Sequence, residues 1–429
     1  MESKEVTALI RQGLVHEVHT SERRSFRGCR RRWHWIFQDF YYPQVTAKPL
    51  EFGVAFHNAM EVLYEPKTWK WPRDVVLGSA KEKFLETCES QKKKFLESTS
   101  SQYIQNEEVE QDYSDRVELG LGMLNYYATE VAPIYDAHLT PLRVEVSFIV
   151  PINNPDTGEF LFCTCKRCLK TIDEWYQKTC MEANGEDLVA VQQQASNLRK
   201  SGLPVCLAGR IDLLAEDEHG DYWILDWKTA ARLARGDASG QDRDEFLELD
   251  DQIGSYVMAL RRKLGLNVRG FIYVELKKAF PSPPQRNTQV RLGRMYSVNR
   301  QQAVDYDSYL KTVKEEDTDA YEAGLYDEHL EWLKSEGPKF HNRYQVVKSE
   351  PELEEIERQL FLEASEMCDP NLRVYPSPGR FSCGFCAFRQ PCLETYRQMD
   401  PQYLLDTLFD KRDKHYWVKE ASTDSQGGE

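Results

Sequence analysis

Gly209-Arg210-Ile211-Asp212 and, after an acidic turn, Ile224-Leu225-Asp226-Trp227-Lys228 decide the reading of this chain. Strand side chains alternate between faces, so Asp226 and Lys228 share one face while Leu225 and Trp227 point to the other. The Gly-containing stretch Glu216 to Asp221 reads as a hairpin turn that returns Asp212 to the side of Asp226. Two carboxylates and a lysine then meet at one point. Hard divalent cations such as Mg2+ and Mn2+ take oxygen ligands of this kind, and such an ion neutralises a phosphate and acidifies a bound water. An ordinary surface hairpin with an Asp to Lys ion pair is the plainer reading of D-x-K by itself.

Flanking segments favour the chemical reading. Phe52 to Glu61 reads as a helix with His57 and Glu61 on one face at i, i+4. Asp251 to Leu260 reads as an amphipathic helix in which Gln252 and Tyr256 share a face. The order His, Asp, D-x-K, Q-x3-Y, running from His57 to about Ser282, resembles the RecB-like branch of the PD-(D/E)XK nuclease superfamily. That resemblance implies an α/β fold, a restriction-endonuclease-like mixed central sheet flanked by helices. It makes His57, Asp212, Asp226 and the Trp227 carbonyl ligands of Mg2+ or Mn2+, and Lys228 the catalytic lysine. Gln252 and Tyr256 would orient that lysine or touch the DNA backbone. The imidazole suits Mn2+ better than an all-oxygen site would.

The cysteines form a second constellation. Cys383, Cys386 and Cys392 make C-x2-C-x5-C, and Cys29 stands near the other end of the chain. Four thiolates suit a [4Fe-4S] cluster, although the spacing alone admits zinc as well. With the nuclease series between them, they resemble the iron-sulfur nucleases of the AddB type and the CRISPR-associated RecB-like exonucleases, which implies a structural cluster joining the chain ends. Cys163, Cys165, Cys168 and Cys180 form C-x-C-x2-C-x11-C, read either as a small zinc site or as unliganded thiols on a loop. Cys88, Cys206 and Cys368 read as packing residues.

The formal charge is −15, from 55 Lys and Arg against 70 Asp and Glu, which argues against broad adhesion to nucleic acid. A local basic groove must carry any such contact. Arg23, Arg24, Arg27, Arg30, Arg31 and Arg32 crowd around Cys29 and are followed by Trp33, Trp35, Phe37, Phe40, Tyr41 and Tyr42, an interleaving that suits a single strand. We expect most of the aromatics in the core and most of the arginines on DNA. Arg210, Lys277 and Lys278 are further phosphate candidates.

The expected organisation is an N-terminal arm (1–50) with the first cluster ligand and a helical region (51–140) with the catalytic His. A nuclease core (141–282) follows, interrupted by an insertion at about 164–203. A helical extension (283–369), an iron-sulfur subdomain (370–420) and a disordered tail (421–429) complete it. Val144, Val146, Phe148 and Val150 alternate as a core strand, with Glu145 as an additional acidic candidate. No run of about 18 apolar residues occurs, so no membrane span is expected. The chain shows no secretory signal, which leads us to expect a cytoplasmic setting, that of the host if phage-encoded.

The resemblance implies a single-strand or DNA-end exonuclease in repair, recombination or phage DNA metabolism. Two alternatives stand beside it: a catalytically silent DNA-end-binding or assembly module, and a subunit active only with a helicase or integration partner. No P-loop is present, so ATP-driven unwinding would belong to such a partner.

Overall fold

The computed structural model describes residues 3–44, 48–97, 106–233 and 243–412. The tail expected at 421–429 lies outside them. Seven strands form the main sheet: β1 (His16–Val18), β2 (Leu139–Pro151), β3 (Phe162–Cys163), β4 (Leu203–Asp217), β5 (Tyr222–Ala230), β6 (Val268–Lys277) and β7 (His341–Val346). The path β1-β4-β5-β6-β7 is mixed, with β1 parallel to β4 and β5 parallel to β6, while β4/β5 and β6/β7 run antiparallel. Both β2 and β3 also pair antiparallel with the long strand β4. This is the mixed central sheet flanked by helices that the sequence led us to expect.

Alternation along β5 divides the sheet into two cores. Leu225 and Trp227 enter a core closed by helices α2 (Lys48–Leu63), α3 (Arg73–Leu96) and α4 (Asn106–Tyr126), where Phe56, Met60, Phe84 and Leu124 are fully buried. Ile224 points the other way, into a core shared with Phe26 of α1 (Thr20–Gly28), Ile253 and Val257 of α7 (Asp251–Met258), and Leu353 and Leu360 of α8 (Glu350–Met367). The insertion helices α5 (Lys166–Glu182) and α6 (Glu186–Ser201) lie between β3 and β4 in sequence and pack against each other.

Polar contacts fix the second layer. Arg23, 1% exposed, pairs through Nε with Glu363 Oε2 of α8 at 2.6 Å and donates through Nη1 to Ser255 Oγ of α7 at 2.7 Å. Asp250 caps α7 by accepting from the backbone N–H groups of Gln252 and Ile253. A capping box at Ser349 and Glu352 starts α8.

Two segments depart from the sequence reading in detail. The N-terminal region supplies β1, a sheet strand, and the segment after residue 283 supplies β7, which pairs with β6. That later segment also carries a small core of its own, around Tyr296, Tyr309, Tyr326 and Leu333.

Two segments far apart in sequence meet. Tyr41–Pro43 pairs antiparallel with Phe409–Lys411, and the Phe388 ring stacks between Trp35, at 5.4 Å, and Phe409, at 4.3 Å. Burial of these aromatics holds Cys386 and Cys392 beside the segment that follows Cys29.

Candidate active site

Antiparallel pairing of Leu213 with Leu225 sets Asp212 and Asp226 opposite each other one step further along the hairpin. Asp212 Oδ2 accepts the Trp227 backbone N–H at 3.2 Å and pairs with His57 Nδ1 of α2 at 3.0 Å. Asp226 Oδ1 accepts from Gln252 Nε2 of α7 at 3.1 Å, while Lys228 Nζ lies 2.5 Å from its Oδ2. The hairpin, α2 and α7 thus bring His57, Asp212, Asp226, Lys228 and Gln252 to one place. A cavity of about 230 Å³ opens there, lined among others by Arg24, Asp226, Lys228, Asp250, Gln252 and Glu275.

The two carboxylates are held in different states. Burial pushes both upward, but at Asp212 the His57 and Lys228 charges and the Trp227 N–H outweigh it and hold the group at about 2. At Asp226 burial, with the Asp212 charge added, prevails over Lys228 and leaves it at about 6. Burial would lower Lys228, yet Asp226 and Asp212 raise it above the ordinary lysine value, so it stays cationic. Burial acts against a charged His57 too, and Asp212 reverses it to a net upward shift. A strongly acidic carboxylate, a second one near neutrality and an imidazole form a donor set that fits a divalent cation of the Mg2+ or Mn2+ class. A positively charged ion would replace the attraction that His57 and Lys228 now supply.

Glu145 joins this group. It sits opposite Asp212 between the pairs Val144/Leu213 and Val146/Ile211, with a positive φ of 49° inside a strand. Such a conformation costs a non-glycine residue on the order of 1 kcal/mol or more and concentrates at functional sites. Burial, then the Asp212 charge, raises the Glu145 carboxyl to about 7, and Arg210 Nε pairs with it at 2.7 Å.

Other sequence candidates occupy different surroundings. Tyr256 is buried, hydrogen-bonded to the Thr20 side chain and the Arg210 backbone, and packs edge-on against Phe148 with ring centroids 5.1 Å apart. Its hydroxyl therefore braces β4 and α1, whereas Gln252 contacts Asp226 directly. Of the arginines, Arg24 is 60% exposed at the side chain and pairs with Asp250 at 3.2 Å on the cavity wall. Arg27 is tied to Asp251 and Glu363, Arg30 to Glu366 and the rings of Phe26 and Tyr375, and Arg31 Nη1 reaches Cys392 Sγ at 4.0 Å. Lys277 and Lys278 lie over the rings of Phe340 and Phe52. Glu275 and Tyr273 line the cavity but were not picked out from sequence. Alternation along β6 was the signal available, since Asp226 pairs with Tyr273 and Lys228 with Glu275.

At the chain ends, Ser377 N–H donates to Cys29 Sγ at 3.5 Å, Gly379 N–H to Cys383 Sγ at 3.4 Å, and the Phe388 backbone bonds to Cys386. With Arg31 facing Cys392, an N–H donor stands near each of the four sulfurs, but among the described residues these four are not a group whose ligand atoms lie within 4.8 Å of one another.

The insertion cysteines differ from the spacing read in the sequence. Cys163, Cys165 and Cys168 cluster with His16 of β1, with the four ligand atoms all within 4.8 Å of one another, and Cys180 is not part of that group. Cys368, read as a packing residue, hydrogen-bonds with Cys163.

A family model of the PD-(D/E)XK nuclease superfamily matches residues 20–393. No curated protein matches the chain. No helix among the described residues is long and apolar enough to cross a membrane.

Proposed function

This chain belongs to the PD-(D/E)XK nuclease superfamily, and from that premise we propose that it is a metal-dependent DNA exonuclease acting on single strands or DNA ends, of the RecB-like branch. The observation that carries the reading is the convergence of His57 with Asp212 and of Gln252 and Lys228 with Asp226 across one hairpin, with Asp226, Lys228 and Gln252 lining a cavity. Asp212, Asp226, His57 and the Trp227 carbonyl would hold Mg2+ or Mn2+, which when bound supplies charge neutralisation at the phosphate and lowers the pKa of water.

The chain's own residues do the rest. Lys228, kept cationic by two carboxylates, is placed to stabilise negative charge gathering on a phosphate oxygen. Gln252 fixes the rotamer of Asp226. Arg24 reaches the cavity rim and is the best placed of the arginines to take a phosphate, by exchanging Asp250 for it. Arg27, Arg30, Arg31, Arg210, Lys277 and Lys278 would contribute to the wider DNA path when freed from their present partners. Cys29, Cys383, Cys386 and Cys392 would hold a [4Fe-4S] cluster that clasps the chain ends.

Purified full-length protein with Mn2+ and end-labelled single-stranded DNA tests the activity. Loss of cleavage in Asp226→Ala and Lys228→Ala is expected. No cleavage by the wild type, or cleavage by both variants equal to that of the wild type, removes the reading. Progressive shortening from one end supports exonuclease action, and internal cuts in circular single strands refute it. An anaerobic preparation should be brown and carry about four irons per chain if the cluster is present; a colourless one refutes that part.

A further inference from the structure

Away from the nuclease site, three sulfurs and an imidazole nitrogen meet in the protein interior. His16 Nδ1 lies 3.1 Å from Cys168 Sγ and 3.7 Å from Cys165 Sγ, and Cys165 and Cys168 are 3.6 Å apart. Cys163 completes the group, and His16, Cys163 and Cys168 are all buried. We propose that His16, Cys163, Cys165 and Cys168 form a structural zinc site that fastens the insertion to the first strand of the sheet.

Distances favour a single ion. Tetrahedral zinc with Zn–S of about 2.3 Å and Zn–N of about 2.0 Å places neighbouring ligand atoms roughly 3.5–3.8 Å apart. The 3.6 and 3.7 Å separations match that edge length, the 3.1 Å one is shorter, and those to Cys163 stay within 4.8 Å. A disulfide needs about 2.05 Å between sulfurs, and all of these cysteines are free thiols. In a [4Fe-4S] cluster each cysteine binds a different iron, which spreads the sulfurs wider than one ion's coordination sphere. The Cys3His set is also a familiar structural zinc combination, soft enough to exclude Mg2+.

Local structure is built around the group. Cys165 is the residue before α5, so Cys168 follows on its first turn, while Cys163 comes from β3, which pairs with Leu203. Gly202, at φ +84°, runs so close to Cys163 that a Cβ there would fall 2.6 Å from the Cys163 carbonyl oxygen. Arg167 supplies countercharge for three thiolates. Its guanidinium donates to Glu22 Oε1 at 3.3 Å, to the Phe37 carbonyl at 3.1 Å and to the Glu17 carbonyl at 2.5 Å, and stands 3.0 Å from His16 Nε2. A guanidinium only donates, so without metal the His16 proton belongs on Nδ1, facing Cys168. Zinc would displace it: the imidazole proton moves to Nε2, the thiol protons leave to solvent, and Arg167 would give up its contact with that nitrogen while keeping Glu22 and the two carbonyls as acceptors.

The consequence reaches the catalytic cavity. Four residues after His16 begins α1, which carries Thr20 against Tyr256, Arg23 against Ser255 and Arg24 on the cavity wall. Fastening β1 to the insertion holds that helix in register.

Element-specific X-ray absorption at the zinc edge of the full-length protein, with zinc and iron counted separately by mass spectrometry, tests the site. About one zinc per chain with three sulfurs near 2.3 Å and one nitrogen near 2.0 Å is expected. Absence of zinc after expression in zinc-supplemented medium overturns the site, as does iron in its place. A four-sulfur zinc shell overturns the His16 assignment and points to Cys368 instead. Cys165→Ser should lose the zinc and Cys180→Ser should keep it. If Cys165→Ser does not fold, the wild-type spectrum still decides. None of these readouts depends on nuclease activity.

Discussion

Gln252 Nε2 donates to Asp226 Oδ1 across 3.1 Å, tying the first turn of α7 to the D-x-K strand. Asp226 is 2% exposed, so this amide and the Lys228 ammonium are the groups that set its orientation. Outer partners of a metal-ligating carboxylate are typically worth about 10–100-fold in metal affinity or activity. Gln252→Ala should therefore reduce Mn2+-dependent cleavage by about that factor, with the Mn2+ concentration for half-maximal rate rising. Measuring the rate across a Mn2+ titration separates this from a folding defect. An unchanged Mn2+ requirement would mean that Gln252 does not position Asp226.

His341 should subtract folding stability in mild acid, whereas the raised carboxyls of Asp226 and Glu145 act in the opposite direction. His341 is 3% exposed, and its Nδ1 lies 2.9 Å from Tyr126 Oη, which in turn donates to Asp305. Burial is the main cause that lowers its pKa to about 4, from the ordinary 6.5. The unfolded chain therefore takes up the proton first as pH falls. The stabilisation is whole above pH 6.5 and is lost between 6.5 and 4, about 3 kcal/mol in all and roughly 2 by pH 5. Buried His329 shifts in the same direction, so the contribution is isolated by comparing wild type with His341→Gln. Urea unfolding at pH 7 and pH 5 should show a smaller pH-induced loss in the variant. Equal losses would place the acid sensitivity elsewhere.

Arg23 joins three helices, and its loss should be severe. Removing it leaves Glu363 with a longer contact to Arg27, at 3.4 Å, and Ser255 Oγ without its donor in a fully buried position. Breaking a buried ion pair by deleting one partner costs about 3–5 kcal/mol. Because Arg27 partly compensates, Arg23→Ala should sit near the lower end, read as a shift in the urea midpoint. Arg23→Lys should recover little, since one ammonium does not reproduce the paired Nε and Nη1 geometry. Full recovery by lysine would show that charge alone matters there.

What the sequence made legible follows from local physics. Period-two alternation in 222–228 and the i, i+4 pairs His57/Glu61 and Gln252/Tyr256 are short-range signals, and strands and helices appear where they were expected. Strand β1 was not legible because three residues are too few to show a period, and β7 reads as polar HNRYQV although His341 and Val346 are buried. Cys180 illustrates another limit. Cysteine spacing counts residues along the chain, but α5 carries Cys180 about 18 Å along its axis from Cys168 at 1.5 Å per residue. The residue that takes its place, His16, is brought in by parallel pairing of β1 with β4 and leaves no local trace. The arginines around Cys29 were legible as basic but not as paired, because Glu363, Glu366 and Asp251 come from distant segments.

Gly209, the first residue of the deciding stretch, should be intolerant of even a methyl group. A Cβ there would lie 2.6 Å from Phe148 Cζ and 2.8 Å from Tyr256 Cε1, well inside van der Waals contact. Both rings are buried and packed edge to face, so neither has open space to move into. Overpacking of this kind costs typically about 1–3 kcal/mol. The displacement also has a direction: pushing Tyr256 disturbs its bonds to Thr20 and to the Arg210 backbone, two residues from Asp212. Gly209→Ala should therefore lose both stability and cleavage. The double variant Gly209→Ala with Phe148→Leu, which frees ring volume on one side, should recover much of the stability in thermal unfolding. If the single variant melts like the wild type, the close approach of β4 to these two rings is not a constraint on the site.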